Sequence, residues 1–166
     1  AGASTVLIPS SASDGFQLDL DALEARITPK SRLLVINSPG NPTGRVMQRQ
    51  DIEALAELVA RHPNLLVMSD EIYEFLISPN QVHHSFAKIA PDLKNRIFTV
   101  NGFAKAWAMT GWRIGYAAGP KEIIKAIGKI QSQSTSNPSS ISQAAAVEAL
   151  NGTQDFIKTR SNAFKE

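Results

Sequence analysis

The chain has 166 residues and no cysteine, which excludes disulfides, thiolate metal sites and cysteine nucleophiles. Hydrophobic residues make up 43% of the sequence and charged residues 19%, as in an ordinary soluble globular protein. The 17 basic residues exceed the 15 acidic residues by too little to indicate binding to nucleic acid or to an anionic membrane. No apolar run is long enough to predict a membrane span, and the first residues lack the pattern of a signal peptide.

The first elements alternate between extended and helical patterns. Residues 5–8 predict a strand, and residues 20–27 predict a helix in which Asp21 and Glu24 have the spacing of a capping box. Residues 33–36 predict a buried strand, because this apolar run is followed directly by the turn-rich sequence NSPGNPTG.

The same alternation continues through the rest of the chain. Ile52, Leu55 and Val59 fall on one face of a predicted helix, and Pro63 ends that helix by His62. Further strands are predicted at 65–68, 97–100 and 113–118. Further helices are predicted at 121–131, at 141–150 and from 154 onward.

Strands that alternate with helices indicate an α/β fold with a mostly parallel sheet and helices on both faces. Polar segments follow three of the predicted strands, at 37–44, 69–73 and 101–105. Because ligands of such sheets bind beyond the carboxyl ends of the strands, the three segments predict one site at this edge.

The segments NSPGNPTG (37–44), SDEIYE (69–74) and NGFAKAWAMTGWRIGY (101–116) occur in this order. Together they closely resemble the fold-type I, class I/II pyridoxal-phosphate aminotransferases. The wording AMTGWRIGY favours the aspartate and aromatic aminotransferase branch. The resemblance extends over nearly the whole chain and implies transfer of an amino group from an amino acid to a 2-oxo acid.

The resemblance gives four residues a role around the ring of pyridoxal phosphate. Lys105 matches the lysine that forms the Schiff base and then moves a proton. Asp70 matches the carboxylate that keeps the pyridine nitrogen protonated, which makes the cofactor a better electron sink. Tyr73 and Asn41 match the residues that hydrogen bond the phenolic oxygen. Without the resemblance, Lys105 would be interpreted as a surface lysine, Asp70 as a capping or turn residue and Asn41 as a turn residue.

Arg113 matches the arginine of the family that binds the cofactor phosphate, for which a guanidinium fork is well suited. Ala104 departs from the family pattern, since many members have a serine there that contributes to the phosphate site. The resemblance also implies that the peptide bond Asn41–Pro42 is cis.

The segment Ser136, Asn137 and Pro138 resembles one that reaches the active site of the neighbouring subunit in dimers of the family. Where one branch has an arginine for the side-chain carboxylate of the substrate, this sequence has Ser132. A plain loop between two helices is an equally good interpretation of this segment.

Two further groups of residues have simpler interpretations. His83, His84 and Asp92 do not match a familiar metal-ligand spacing, so we expect them in a solvated loop. Trp107 and Trp112 are expected to be core or interface residues that do not stack on the cofactor.

The resemblance implies that family segments are missing on both sides of this chain. Residues 1–150 correspond to an incomplete cofactor-binding large-domain core, and 151–166 to the start of a helix that leads to a small domain. The resemblance also implies a cytoplasmic homodimer for the full-length protein. Because of the missing segments, we expect little or no transaminase activity for the 166 residues alone. Two alternatives remain at this stage. One is a carbon–sulfur lyase or related enzyme of the same fold, and the other is a non-catalytic fragment or interaction module.

Overall fold

A four-stranded mixed sheet forms the centre of the computed structural model, which describes residues 2–163. The strands lie in sequence order and are β1 (Leu33–Asn37), β2 (Leu66–Asp70), β3 (Ile97–Gly102) and β4 (Gly115–Ala118). Strands β1, β2 and β3 are parallel, whereas β4 runs antiparallel to β3. The predicted α/β fold with a mostly parallel sheet is therefore confirmed.

In the described part of the chain, one helix precedes β1, one lies in each of the two connections between the parallel strands, and three follow β4. They are α1 (Leu20–Glu24), α2 (Arg49–Arg61), α3 (Phe86–Ile89), α4 (Lys121–Ser132), α5 (Ser140–Asn151) and α6 (Asp155–Ala163). Short 3-10 turns occupy Ala12–Asp14, Pro91–Leu93 and Thr110–Trp112. None of the helices within residues 2–163 combines the length and the apolar character that crossing a bilayer requires.

One face of the sheet carries the main core. Leu34 and Ile36 of β1, with Val67 of β2, pack into a cluster that also contains residues of α1, α2 and α3. Side chains alternate between the faces of a strand, so Leu33 and Val35 point to the opposite face, where they are 48% and 54% exposed.

Helix α2 illustrates why the sequence folds as it does. Its buried residues Ile52, Leu55 and Val59 recur at helical spacing, and the Asp51 carboxylate accepts a hydrogen bond from the backbone N–H of Gln48 at its start. The helix ends at Arg61, just before the residue that precedes Pro63. The predicted end of this helix is confirmed.

Three local predictions are wrong. Residues 5–8 do not form a strand, and Val6 and Leu7 are 57% and 76% exposed, because β propensity has little effect without a neighbouring strand. Helix α1 is capped by Asp19, whose carboxylate accepts a hydrogen bond from Ala22 N, so the predicted capping box at Asp21 is two residues too late. Strand β4 starts at Gly115, two residues later than predicted.

Candidate active site

The three polar segments lie at one edge of the sheet, as predicted. Asn37 is in register with Asp70, and Asp70 is in register with Val100. The carboxyl ends of β1, β2 and β3 therefore lie side by side. The segments that begin at Asn37, Asp70 and Asn101 leave the sheet at this shared edge.

Asn41 and Tyr73 contact each other directly across two of these segments. The Asn41 side-chain amide donates a hydrogen bond to the Tyr73 phenol oxygen at 3.1 Å. The Asn41 backbone N–H donates to the side chain of Asn37, also at 3.1 Å, which fixes the turn after β1. The peptide bond Asn41–Pro42 is cis, as the resemblance implies, and so is Ser38–Pro39, which the sequence analysis did not predict.

Lys105 joins this pair from the segment after β3. Its ammonium nitrogen lies 5.3 Å from the centroid of the Tyr73 ring, within the range of a cation–π contact. The residue is exposed at the open edge of the sheet. Asn41, Tyr73 and Lys105 thus form one cluster built from three separate strand ends.

Asp70 occupies the last position of β2, and its backbone is held from the neighbouring strand. Its carbonyl accepts hydrogen bonds from Ser38 N at 3.2 Å and from the Asn37 side chain at 3.3 Å. One carboxylate oxygen accepts from Ile72 N at 3.2 Å, which forms an Asx-type turn into the segment that carries Tyr73. The turn therefore couples the Asp70 carboxylate to the backbone that leads to the phenol.

Arg113 is placed at the same end of the sheet, but in an exposed position. Gly102 of β3 faces Gly115 of β4, so Lys105 and Arg113 both lie beyond this end of the strand pair. Arg113 has the left-handed backbone conformation (φ 51°), and its guanidinium donates to Thr110 O at 2.9 Å. Arg113 is thus a turn residue that precedes β4, and the predicted strand position is wrong because φ is positive there.

Aromatic packing anchors the turn that carries Lys105. Phe103 is 4% exposed and packs with Trp107, whose ring centroid lies 5.3 Å away. The Trp107 indole N–H donates to Ala149 O of α5 at 2.9 Å. Trp107 is partly buried and packs against the cluster of Phe103, Met109 and Ala146, whereas Trp112 is 44% exposed.

Glu71 is the buried group of this region that the sequence analysis missed. Its carboxylate accepts four hydrogen bonds, from Ser69 Oγ at 2.9 Å, Ser85 Oγ at 3.0 Å, Phe86 N at 3.2 Å and His83 Nε2 at 3.1 Å. Burial raises the pKa of Glu71, but the hydrogen bonds from His83 and Ser69 outweigh it, so that the pKa lies below its usual value. Glu71 is therefore ionised at neutral pH.

The His83 side chain is only 11% exposed, so the expectation of a solvated loop is wrong for this residue. Oxygen and nitrogen atoms of Glu71, Glu74 and His83 lie within 4.8 Å of one another, as metal ligands would. However, the Glu71 carboxylate already has four donors, and a cation would have to displace His83 from it. We interpret the group as a hydrogen-bonded pair of Glu71 and His83, with Glu74 beside it.

Glu74 and Tyr116, in the same region, both have a raised pKa. Burial raises the pKa of Glu74, although a hydrogen bond from Asn101 Nδ2 at 2.6 Å opposes the shift. Burial also raises the pKa of Tyr116, and the negative charges of Glu74 and Glu71 raise it further. Tyr116 is therefore a neutral phenol at physiological pH.

Residues 133–139 form the connection between α4 and α5, as expected of an interhelical loop. Ser132 is the last residue of α4, and Ser136 is exposed with a positive φ of 61°. A contact between this loop and another subunit remains a prediction.

Comparison with known proteins identifies the family. The family described as "Aminotransferase class I and II" matches residues 1–166. The chain belongs to this family. It is 52% identical over 161 residues to a probable aspartate/prephenate aminotransferase of Rickettsia prowazekii. The match covers 97% of this chain and 40% of that protein. It is 53% identical to a bifunctional aspartate aminotransferase and glutamate/aspartate-prephenate aminotransferase of Petunia hybrida, with 100% of this chain and 35% of that protein covered.

Solved structures of the family have the same fold. The aspartate aminotransferase of Rhizobium meliloti superimposes with a TM-score of 0.93 at 51% identity, covering 96% of this chain and 40% of that one. The Thermus thermophilus aspartate aminotransferase with maleate gives a TM-score of 0.89 at 43% identity and covers 96% and 41%. This chain therefore spans about 40% of the length of the relatives that it matches.

Enzymes of this family depend on pyridoxal phosphate, and the residues at the sheet edge fit that cofactor. The cluster offers an amine for its aldehyde in Lys105 and a phenol and an amide for its phenolic oxygen in Tyr73 and Asn41. A carboxylate for its pyridine nitrogen stands at the end of the adjacent strand in Asp70. The amine, phenol, amide and carboxylate at this edge are thus the kinds of group that the aldehyde, the phenolic oxygen and the pyridine nitrogen would require.

Proposed function

We propose that the protein carrying this chain is a pyridoxal-phosphate-dependent aminotransferase that uses Lys105 as its covalent anchor. The main support is the cluster of Asn41, Tyr73 and Lys105, which unites the ends of three strands at the edge where Asp70 also stands. A chance group of surface residues would not be expected to combine these four side chains in the order of the family motifs.

Lys105 has the two properties that the reaction requires of its base. Its primary amine can bond covalently to an aldehyde, and its exposed position at the sheet edge leaves it accessible to a substrate. When it is not bonded to the aldehyde, the Lys105 amine would accept a proton from the substrate α-carbon and so act as the general base of the transfer. The bound cofactor supplies the electron sink for this proton transfer.

The other residues hold the cofactor and adjust its charge. The Asp70 carboxylate would pair with the ring nitrogen and keep it protonated. Tyr73 donates its phenol hydrogen to the phenolic oxygen, because the Asn41 amide already occupies the Tyr73 oxygen as a donor. Arg113 would bind the phosphate through its guanidinium, whose fork has N–H donors beyond the one that Nη1 gives to Thr110 O.

We further propose aspartate as an amino donor of the full-length protein and a 2-oxo acid as the acceptor. The support comes from the relatives at about half identity, which are named as aspartate or aspartate/prephenate aminotransferases. These names favour transamination over the carbon–sulfur lyase alternative.

For the polypeptide as a whole, we propose that 1–150 belong to the cofactor-binding domain and that 151–166 lead into a further domain. The exposed apolar residues Ile130, Ile141 and Val147, which are 73%, 72% and 58% exposed, support additional contacts in a homodimer. We therefore expect the 166 residues alone to have little transaminase activity, and full turnover by the isolated chain would contradict this proposal.

The decisive experiment uses the natural-length protein loaded with pyridoxal phosphate. Borohydride reduction followed by peptide mass spectrometry should place the cofactor on Lys105. The variant Lys105→Ala should lose this label and about 10²–10⁴-fold of the rate with aspartate, because it lacks the base. The control Lys129→Ala changes an exposed lysine of α4 and should keep both. A label on another lysine would refute the assignment, and a product panel with aspartate, alanine, phenylalanine and cystathionine would distinguish transamination from lyase activity.

A further inference from the structure

Glu71 is a buried, ionised residue that the proposed chemistry does not use. It is 3% exposed and lies between Asp70 and the segment that carries Tyr73. A carboxylate is costly to bury unless it is hydrogen bonded, and Glu71 has a donor at each of its two oxygens. The position therefore needs an explanation beyond packing.

The donors to Glu71 come from two distant parts of the chain. Ser69 belongs to β2, whereas His83, Ser85 and Phe86 precede or begin α3. Because a carboxylate only accepts, His83 Nε2 carries the proton in this hydrogen bond. The Glu71 carboxylate thus clamps the end of β2 to the segment in front of α3.

The backbone of Glu71 is held as firmly as its side chain. Its N–H donates to Val100 O of β3 at 2.9 Å, and its carbonyl accepts from Glu74 N at 2.9 Å. The turn between these two hydrogen bonds contains Tyr73, and Asp70 immediately precedes it. A rotation or shift at Glu71 would therefore displace both side chains relative to β3 and Lys105.

We propose that Glu71, held by His83, is a positioning residue that sets the orientation of Asp70 and Tyr73 at the cofactor site. This inference rests on the proposed function, because its effect is exerted on groups that hold the cofactor. Glu71 itself does not contact the cofactor or the substrate. Its part is to fix the backbone between a carboxylate and a phenol three residues apart, the two groups proposed to bind the ring nitrogen and the phenolic oxygen.

The test compares Glu71→Gln with Arg96→Met in the natural-length protein. Glutamine keeps the size of the side chain but removes its charge and one of its two acceptor oxygens, so the four donors to Glu71 can no longer all be paired unless the imidazole proton of His83 moves from Nε2 to Nδ1. Arg96 donates to Val59 O, His62 O and Leu65 O at the other end of the sheet, so Arg96→Met controls for a general loss of stability. Both variants should unfold more easily than the wild type.

Only Glu71→Gln should alter the cofactor site. We expect its dissociation constant for pyridoxal phosphate to rise about tenfold or more, and the pH midpoint of the visible absorbance of the bound cofactor to shift. Arg96→Met should leave both unchanged. His83→Leu should reproduce the weaker cofactor binding and the shifted pH midpoint. His83→Gln, which keeps a side-chain donor, should recover part of the wild-type behaviour.

Crystal structures of the cofactor-free wild type and Glu71→Gln separate this inference from the proposed function. We expect the 3.1 Å contact between Asn41 and Tyr73 to be lost or lengthened in the variant. An unchanged Asp70 and Tyr73, or an affinity and pH midpoint equal to those of the wild type, would reduce Glu71 to a purely structural role. Failure of the wild type to bind the cofactor would instead refute the proposed function, and the cofactor-free structures would still decide the positioning role. If Glu71→Gln does not fold, His83→Leu provides the same comparison.

Discussion

Trp107 offers a graded test of how the turn that carries Lys105 is held in place. The indole N–H donates to Ala149 O at 2.9 Å and to Gln154 Oε1 at 3.2 Å. Its rings also pack edge-on against Phe75, with centroids 5.5 Å apart, and at a tilt against Phe103. The hydrogen bonds and the aromatic packing can be removed separately.

Trp107→Phe removes the hydrogen bonds and keeps most of the packing. Ala149 O keeps a second donor in Gln154 Nε2 at 2.9 Å, so no buried acceptor is left unpaired. The expected loss in the free energy of unfolding is therefore about 1 kcal/mol. Trp107→Ala also removes both ring contacts and should cost about 3 kcal/mol, at the low end for such truncations because the residue is only half-buried.

Urea unfolding of the natural-length protein, followed by circular dichroism, measures both losses as shifts in the transition midpoint at constant slope. Cofactor affinity should fall in Trp107→Ala, because Lys105 is two residues away in the same turn, and should be retained in Trp107→Phe. The control Trp112→Phe, at a residue that is 44% exposed, should cost less than either. Equal losses for the two Trp107 variants, or a cofactor affinity unaffected by Trp107→Ala, would refute the reasoning.

Three further predictions follow from single contacts. Tyr73→Phe removes the phenol that Asn41 contacts and should lower kcat/KM about tenfold while the cofactor stays bound, as measured by steady-state kinetics and absorbance. Gly119→Ala places a methyl group 2.5 Å from Phe98 Cβ and should destabilise the protein by about 1–3 kcal/mol. The methyl group of Gly128→Ala in α4 meets nothing within 4 Å, so this variant should be more stable by about 0.5–1 kcal/mol. Urea unfolding measures both changes. The Glu71 carboxylate has a lowered pKa in the folded state, so its contribution to stability is present above the ordinary value of 4.5 and is lost as the pH falls through the folded pKa. Urea unfolding between neutral and acidic pH should show a weaker dependence in Glu71→Gln.

Each of these predictions has an outcome that contradicts it. Wild-type kinetics in Tyr73→Phe would show that the Tyr73 phenol does not contribute to the reaction. A stable Gly119→Ala would show that β3 and β4 can separate at no cost. A pH dependence of stability that is identical in Glu71→Gln and the wild type would show that the lowered pKa of Glu71 is not linked to folding.

Much of the sheet and its site could be predicted from the sequence because the relevant signals are local. The runs that became β1 and β3 are apolar and end in turn residues, and the polar segments that follow them carry Asn41 and Lys105. Parallel pairing then brings these segments to one edge without further information. The run at 5–8 has the same local character, but it has no strand beside it within the described residues, so the local signal predicted the wrong structure.

Glu71 could not be recognised in this way because its partners are set by the tertiary fold. His83 and Ser85 lie 12 and 14 residues along the chain, and no periodic pattern connects them to the end of β2. The left-handed conformation of Arg113 was missed for a similar reason. Its apolar neighbours favour a strand, whereas the turn that holds Lys105 requires a reversal of the chain there.

The groups proposed to bind or react with the cofactor and the groups that fix them have opposite environments in this site. Lys105 and Arg113 are exposed, and neither could be held in place by its own packing. Glu71 and Phe103, each within three residues of a proposed cofactor contact, are 3% and 4% exposed. A reactive amine must remain free to exchange partners, which burial of its own side chain would prevent. We therefore infer that the precision of the site resides in the buried neighbours, and that substitutions at Glu71 or Phe103 will affect cofactor binding more than their distance from it suggests.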